Sequence, residues 1–285
     1  MENFKKKYQR KLALASFSGT IANTEELSVS HENLDSVYTL AITQMFGERG
    51  RSILWQRGGV GNINYIQKLF FELLSDKVCV SHVCQYLGIH SYNLYKEDPT
   101  PIVFQGFAQL SIKLLKNIVG TLTASGEIWP RVYPGFSKFR VDLKSAQIDL
   151  GIISSGFSQF INNVFDKSQI GRPEFCVTLD DKIENLSISW ESKVKPSPML
   201  IANAIEQWSG LHPKCGMSME YALAHTILIG DDLELDGKMA EAFNLPFWYF
   251  TSDINNLVLS EHPRIHPFSN WGQITNALND GKLFT

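Results

Sequence analysis

Short apolar runs alternate with segments of helical length over much of the chain. Five runs are predicted as strands, at 12–15, 148–153, 175–179, 226–229 and 246–250. The segments predicted as helices between the later runs are 135–144, 157–165, 198–208 and 237–243. Strands separated by helices pair in parallel, because a parallel connection needs a crossover of a dozen or more residues. The pattern therefore predicts an α/β fold with a parallel sheet flanked by helices. The segment 262–266 is predicted as a surface loop.

A different pattern follows the first predicted strand. Between about Glu25 and Trp129, apolar residues recur at helical spacing in three stretches, 37–45, 65–74 and 102–118. Glycine-rich and proline-rich breakers separate these stretches. A chain of 285 residues is long enough for one large core with a smaller lobe. We therefore expect residues 25–131 to form an all-helical domain that is inserted into an α/β domain of residues 1–24 and 132–285.

The charge balance and the apolar runs restrict the class of partner. Lysine and arginine number 26 against 29 aspartate and glutamate, a formal net charge of −3. Such a chain has no overall field that attracts nucleic acid or an anionic membrane. Nothing resembles a signal peptide, and no apolar run reaches the roughly 18–20 residues that a bilayer span requires. We expect a cytoplasmic protein whose partner is a small molecule or another protein.

Polar residues stand at or near the ends of the predicted strands and before one predicted helix. In an open parallel sheet, ligands bind beyond the carboxyl ends of the strands, where loops and helix starts present backbone amides. We expect the polar residues of these strand ends to converge at one edge of the sheet. They are Ser16 and Ser18; Ser154 and Ser155; Lys195; and Asp231, Asp232 and Asp236.

The four segments have a characteristic order and spacing. They are Ser16-Phe17-Ser18-Gly19-Thr20, the strand that ends at Ser154, Lys195-Pro196-Ser197-Pro198, and the stretch from Gly230 to Asp236. Together they resemble the motifs of the haloacid-dehalogenase-like superfamily. Those motifs are Asp-x-Asp-Gly-Thr after a strand, a strand ending in Ser or Thr, a lysine often before Pro-x-Pro, and Gly-Asp-x-x-x-x-Asp. The resemblance implies a Rossmann-like core with an inserted helical cap of the C1 type.

The resemblance also implies roles for these positions. In the family, the first aspartate of motif one attacks phosphorus, and the second acts as general acid and base. Magnesium is held by the first aspartate, a carbonyl oxygen and an aspartate of motif four. The implied catalytic positions are Ser16, Ser18 and Lys195. The implied phosphate-binding residues are Gly19, Thr20, Ser154, Ser155 and Lys195. The implied metal-binding residues are Asp231, Asp232 and Asp236. Arg57 is a candidate for contact with the ligand from the cap.

The sequence departs from the family at the two most reactive positions, because serine occupies both aspartate positions of motif one. A serine hydroxyl is a weak nucleophile unless a base lies within hydrogen-bond reach. Ordinary aspartyl-phosphate chemistry therefore cannot occur at Ser16. Loss of a carboxylate ligand also weakens a Mg²⁺ site, although the acidic residues of the fourth motif remain. A pocket for a phosphorylated or anionic small molecule can persist without hydrolysis.

Three explanations of the two serines remain open. The chain is a pseudoenzyme that keeps the fold for ligand sensing or for contact with a protein. Alternatively, it is an altered enzyme in which Ser16 or Ser18 has a new role, or in which the substrate supplies its own base. In the third explanation, it is an active-site double mutant of a magnesium-dependent phosphomonoester hydrolase.

Overall fold

The structure is a computed structural model, and it describes residues 10–27, 37–56, 72–90, 101–125, 130–178, 195–254 and 264–285. It divides into two compact units. We call residues Met1–Asn23 with Val132–Thr285 the core unit, and Thr24–Arg131 the inserted unit. Among the helices of the described residues, none has the length and apolar character of a membrane span.

Strands and α-helices alternate along most of the core unit. The strands of the chain are β1 (Lys11–Ser16), β2 (Ala22–Leu27), β3 (Pro130–Val132), β4 (Ile148–Ile153), β5 (Phe175–Val177), β6 (Thr226–Gly230), β7 (Phe247–Phe250) and β8 (Ile265–Phe268). The α-helices are α1 (Val37–Gln56), α2 (Lys77–Leu87), α3 (Pro101–Ala124), α4 (Phe136–Ser145), α5 (Ser158–Lys167), α6 (Met199–Leu211), α7 (Met219–Ala224), α8 (Lys238–Ala242) and α9 (Trp271–Asn279).

The core unit contains a six-stranded sheet in the order β5-β4-β1-β6-β7-β8. Every pairing in it is parallel. The prediction of a parallel sheet flanked by helices is therefore confirmed. The central strand β1 is buried on both faces, which explains its continuous apolar run from Leu12 to Ala15.

Helices cover the sheet with two kinds of packing. Residues of α6, such as Ile201 and Ile205, belong to the same apolar cluster as Leu12 and Leu14 of β1. A second cluster consists of aromatic rings from α4, α5 and α9. In it, Phe136 lies with its ring centroid 4.8 Å from that of Trp271 and 6.0 Å from that of Phe165. Edge-to-face ring contacts of this kind stabilise a core beyond the burial of their area.

Two elements near the carboxyl end were not predicted. Residues 265 and 266, predicted as part of a surface loop, belong to β8, which extends the sheet at its edge beside β7. That prediction was wrong because His266 and Pro267 interrupt the apolar pattern. Proline lacks a backbone N–H and is tolerated in a strand only at such an edge. Helix α9 follows, and its N-cap Asn270 accepts a hydrogen bond from the Gln273 N–H.

The inserted unit is helical over most of its described residues. The predicted helical stretches 37–45 and 102–118 lie within α1 and α3, which are longer than predicted. Most of the predicted stretch 65–74 lies outside the described residues. Helix α2 was missed, although Asp76 caps its start by accepting from the Val78 and Cys79 N–H groups. The two ends of the predicted insertion, residues 25–131, are extended rather than helical, because β2 and β3 pair there in a two-stranded sheet.

Candidate functional site

The end of β1 places Ser16 at the rim of the sheet. Ser16 is only 4% exposed. The chain then turns back sharply, because the N–H groups of Ile21 and Ala22 both donate to the carbonyl oxygen of Phe17. Gly19 lies in this turn with a φ of +77°, a conformation that favours glycine. A Cβ atom at Gly19 would also overlap the carboxylate of Asp231, so the turn approaches Asp231 at a distance that only glycine permits.

Two carboxylates follow the end of the neighbouring strand β6, Asp231 directly after it and Asp236 after the next turn. Thr20 of the β1 turn donates its hydroxyl hydrogen to Asp231 Oδ1, with 2.5 Å between the two oxygen atoms. Asp236 is buried after the following turn, and a Cβ atom at Gly230 would overlap its side chain. The turns after β1 and β6 are thus packed side by side. The structure brings together the first and fourth segments that the sequence marked.

Lys195 connects these two segments. Its Nζ donates to Ser16 Oγ at 2.7 Å and lies 2.6 Å from Asp236 Oδ1. Both charged side chains are nearly inaccessible, at 8% for Lys195 and 1% for Asp236. The contact with Asp236 is a close ion pair without hydrogen-bond alignment, because Oδ1 has no aligned donor among the described residues. Ser16, Lys195 and Asp236 therefore form one contiguous group, which we call the rim triad.

Ser154 lies at the end of β4, the other neighbour of β1. The strand register pairs Ser16 with Ile153, so Ser154 follows at the same rim. Its N–H donates to the carbonyl oxygen of Val177, and its Oγ accepts the N–H of Gly156 at 3.0 Å. These bonds shape the turn that leads into α5. The Ser154 hydroxyl hydrogen can still be donated to a ligand.

Comparison with known proteins gives a structural likeness alone. No protein-family model matches the chain. No curated protein matches it either. Among solved structures, a 2-haloacid dehalogenase from Pseudomonas syringae pv. Tomato DC3000 has a TM-score of 0.52 and 13% identity, covering 96% of this chain and 100% of that chain. The putative HAD-hydrolase YfnB from Bacillus subtilis, bound to magnesium, has a TM-score of 0.50 and 14% identity, covering 95% of this chain and 100% of that chain.

The core has the haloacid-dehalogenase fold. The structural likeness, at TM-scores of 0.50 and 0.52, shows this fold, whereas identities of 14% and 13% carry no conclusion about the chemistry of the site. On this fold, the rim triad and the pair formed by Thr20 and Asp231 stand at the carboxyl ends of the strands. Ligands of open α/β sheets bind at that edge.

The remaining predicted site residues have different positions. Asp232 Oδ1 accepts the N–H groups of Glu234 and Leu235, so Asp232 caps the turn after β6. Ser18 is partly exposed and forms an isolated bridge with Ala22. Ser155 is partly exposed beside Ser154. Arg57 lies outside the described residues. The catalytic role of Ser18, the metal-binding role of Asp232 and the ligand contacts of Ser155 and Arg57 stay predictions.

Asp231 has a strongly perturbed carboxyl group. Burial, followed by the nearby charge of Asp236, raises the pKa of Asp231 from 3.8 to about 6. The hydrogen bond from Thr20 and the charge of Lys195 act in the opposite direction, but they do not compensate. Two carboxylates in one poorly solvated place repel each other, so the charged form of Asp231 is disfavoured.

As they stand, the described residues form no complete Mg²⁺ site. Magnesium requires near-octahedral oxygen coordination. The ammonium of Lys195 lies 2.6 Å from Asp236 Oδ1, where it competes with a cation for that oxygen. Asp231 Oδ1 already accepts from Thr20. Within the described parts of the chain, no three acidic, histidine or cysteine side chains are grouped to hold a metal ion. We therefore assign no chemical step to magnesium.

One polar cluster of the core unit was missed in the sequence. Asp149 of β4 is buried, and its carboxylate contacts Arg10, Trp208 and His212. The signal was present, because Asp149 interrupts an otherwise apolar strand between Ile148 and Leu150. A buried carboxylate requires hydrogen-bond partners. The cluster lies near the amino end of β4, away from the rim.

Proposed function

We propose that the core unit binds a phosphorylated or otherwise anionic small molecule at the rim of its sheet and does not hydrolyse it through an aspartyl-phosphate. The observation that carries the proposal is the position of Lys195, whose Nζ lies 2.7 Å from Ser16 Oγ and 2.6 Å from Asp236 Oδ1. A buried ammonium thus lies beside position 16, the position at which the resembling family has its attacking carboxylate.

The rim offers donors for an anion. An ammonium has three hydrogens, and the described residues account for two contacts of Lys195, with Ser16 and Asp236. Among the described residues no further acceptor contacts Lys195, which leaves a hydrogen of the ammonium for an oxygen of a ligand. The Ser154 hydroxyl is a second donor on the adjacent strand. Hydrogen bonds from charged donors to phosphate are short and roughly twice as strong as neutral ones, which supports binding at this rim.

The same contacts disfavour hydrolysis through a covalent aspartyl intermediate. Position 16 carries a neutral hydroxyl, which accepts a hydrogen bond from the Lys195 ammonium. A donor to the serine oxygen does not remove the serine proton, as a general base would. The second catalytic position of the resembling family is also a serine, Ser18, which lacks a carboxylate for proton transfer. The chain therefore retains donors for an anion without the groups that break its ester bond.

The proposal is tested by calorimetric titration of the purified chain with inorganic phosphate. Lys195→Met should weaken binding by about tenfold or more, because a charge-assisted hydrogen bond is lost. Lys138→Met is the control. This substitution removes the same charge from the same unit, but Lys138 forms an exposed ion pair with Asp142 on α4. Absence of phosphate binding by the unsubstituted chain, or equal affinities of the two variants, would contradict the proposal.

The loss of hydrolysis is tested with para-nitrophenyl phosphate in the presence of magnesium chloride. The unsubstituted chain should release no para-nitrophenol above the rate of the Lys195→Met variant. Magnesium-dependent turnover that Lys195→Met abolishes would refute this part of the proposal and leave anion binding intact.

A further inference from the structure

The cluster around Asp149 attaches one end of α6 to the sheet. Asp149 Oδ2 accepts the indole N–H of Trp208 at 2.8 Å, and it lies 2.8 Å from His212 Nε2. Asp149 Oδ1 accepts from Arg10 Nη1 at 2.9 Å. Trp208 is in the last turn of α6, and His212 is its C-cap. Two contacts from one helix end thus converge on a single oxygen of β4.

The other end of α6 leads to the rim triad. Lys195 precedes the helix by four residues. A helix of 13 residues spans about 20 Å, so the Asp149 cluster and Lys195 lie near opposite ends of the same rigid element. The face of α6 against the sheet is apolar and fully buried. It consists of Leu200, Ile201, Ala204, Ile205 and Trp208.

The two kinds of contact constrain α6 differently. Apolar burial is non-directional, so on its own it tolerates small shifts of a helix along its axis. Hydrogen bonds of 2.8 Å weaken steeply as length and angle change. The contacts of Asp149 with Trp208 and His212 therefore hold α6 in one axial position. A shift of about 1 Å would bring the 2.7 Å contact between Lys195 and Ser16 beyond hydrogen-bond range.

We infer that Asp149 is a positioning residue for the rim. By holding Trp208 and His212, it sets the position of α6 along β4 and so keeps Lys195 between Ser16 and Asp236. Asp149 itself does not contact the ligand. The inference concerns the same anion site as the proposed function and rests on it for its biological meaning. The placement of Lys195 can nevertheless be measured without any ligand.

The ligand-free test measures how readily Lys195 is acylated by an amine-reactive reagent, read by peptide mass mapping. Trp208→Phe keeps an aromatic ring and removes the N–H that Asp149 accepts. Labelling of Lys195 should rise about tenfold, the change in population expected from the loss of one hydrogen bond to a charged group. Labelling of Lys282, an exposed lysine of the same unit, should not change.

Trp248→Phe is the matched control. Trp248 is also buried in the core unit, and its indole N–H donates to the Leu283 carbonyl oxygen at 3.0 Å. The substitution removes the same atoms from β7, but the hydrogen bond lost there goes to Leu283 and not to Asp149. Urea unfolding of both variants shows whether they lose comparable stability. If Lys195 is labelled equally in the two variants, Asp149 does not position it. His212→Ala removes the second α6 contact with little change to the core, and it provides the same comparison should Trp208→Phe fail to fold.

Phosphate titration then separates this inference from the proposed function. With both correct, Trp208→Phe weakens phosphate binding by about tenfold in the unsubstituted chain and has no effect in a Lys195→Met background. An equal loss in both backgrounds overturns the positioning role, because Trp208 then acts independently of Lys195. If the unsubstituted chain binds no phosphate, the proposed function fails, and the acylation result still decides the role of Asp149.

Discussion

The charge of Asp231 should destabilise the fold at neutral pH, and Asp231→Asn should relieve this effect. Asparagine has nearly the same size as aspartate, and its carbonyl oxygen can accept the hydrogen bond that Thr20 donates to Asp231 Oδ1. The substitution therefore removes the buried negative charge with little change in packing. Most substitutions lower the stability of a protein or barely change it. An increase in the free energy of unfolding of Asp231→Asn would therefore indicate that the charge of Asp231 destabilises the fold.

The magnitude follows from the shifted pKa. Burial and the charge of Asp236 raise the pKa of Asp231 from 3.8 to about 6, a shift of about 2 units. Each unit corresponds to 1.36 kcal/mol, so the folded state loses about 3 kcal/mol when Asp231 ionises. Since the folded state binds this proton more tightly than the unfolded state, stability falls as pH rises from about 4 to about 6. The full effect is present above about pH 6.

The measurement is the free energy of unfolding in urea at several pH values between about 4 and 7.5. Asp231→Asn should be more stable than the unsubstituted chain by up to about 3 kcal/mol near neutral pH, and the difference should disappear near pH 4. Asp236→Asn is the matched comparison. It leaves the buried ammonium of Lys195 without its partner and should destabilise by about 3–5 kcal/mol. Equal destabilisation by both variants at neutral pH would refute the reasoning.

Two further predictions concern the turn after β1. Ser16→Asp combined with Ser18→Asp should produce hydrolysis of para-nitrophenyl phosphate in magnesium chloride, because Lys195 already lies beside position 16; a double variant without activity would count against the active-site double-mutant explanation. Gly19→Ala should destabilise the fold in urea by about 1–3 kcal/mol more than Gly281→Ala. Both glycines have positive φ, but only at Gly19 does a Cβ meet another side chain, so equal effects would show that Asp231 moves aside.

The strands that could be recognised in the sequence are those that are buried on both faces of the sheet. Strands β1, β4 and β6 consist largely of buried apolar residues, so their pattern is continuous and visible without a structure. The edge strand β8 was missed because an exposed edge tolerates proline and histidine, which erase the pattern. Helix α2 was missed although its cap, Asp76, and its terminal glycine, Gly88, were both visible in the sequence.

For the site, the sequence determined which residue types stand at the strand ends, including serine at positions 16 and 18. Only the tertiary structure decided their partners. Lys195 donates a hydrogen bond to Ser16, 179 residues away in the sequence, and Thr20 donates one to Asp231, 211 residues away. Pairings over such separations depend on how strands and helices pack, and local patterns do not record them. The raised pKa of Asp231 has the same origin, because desolvation and neighbouring charge exist only after the chain has folded.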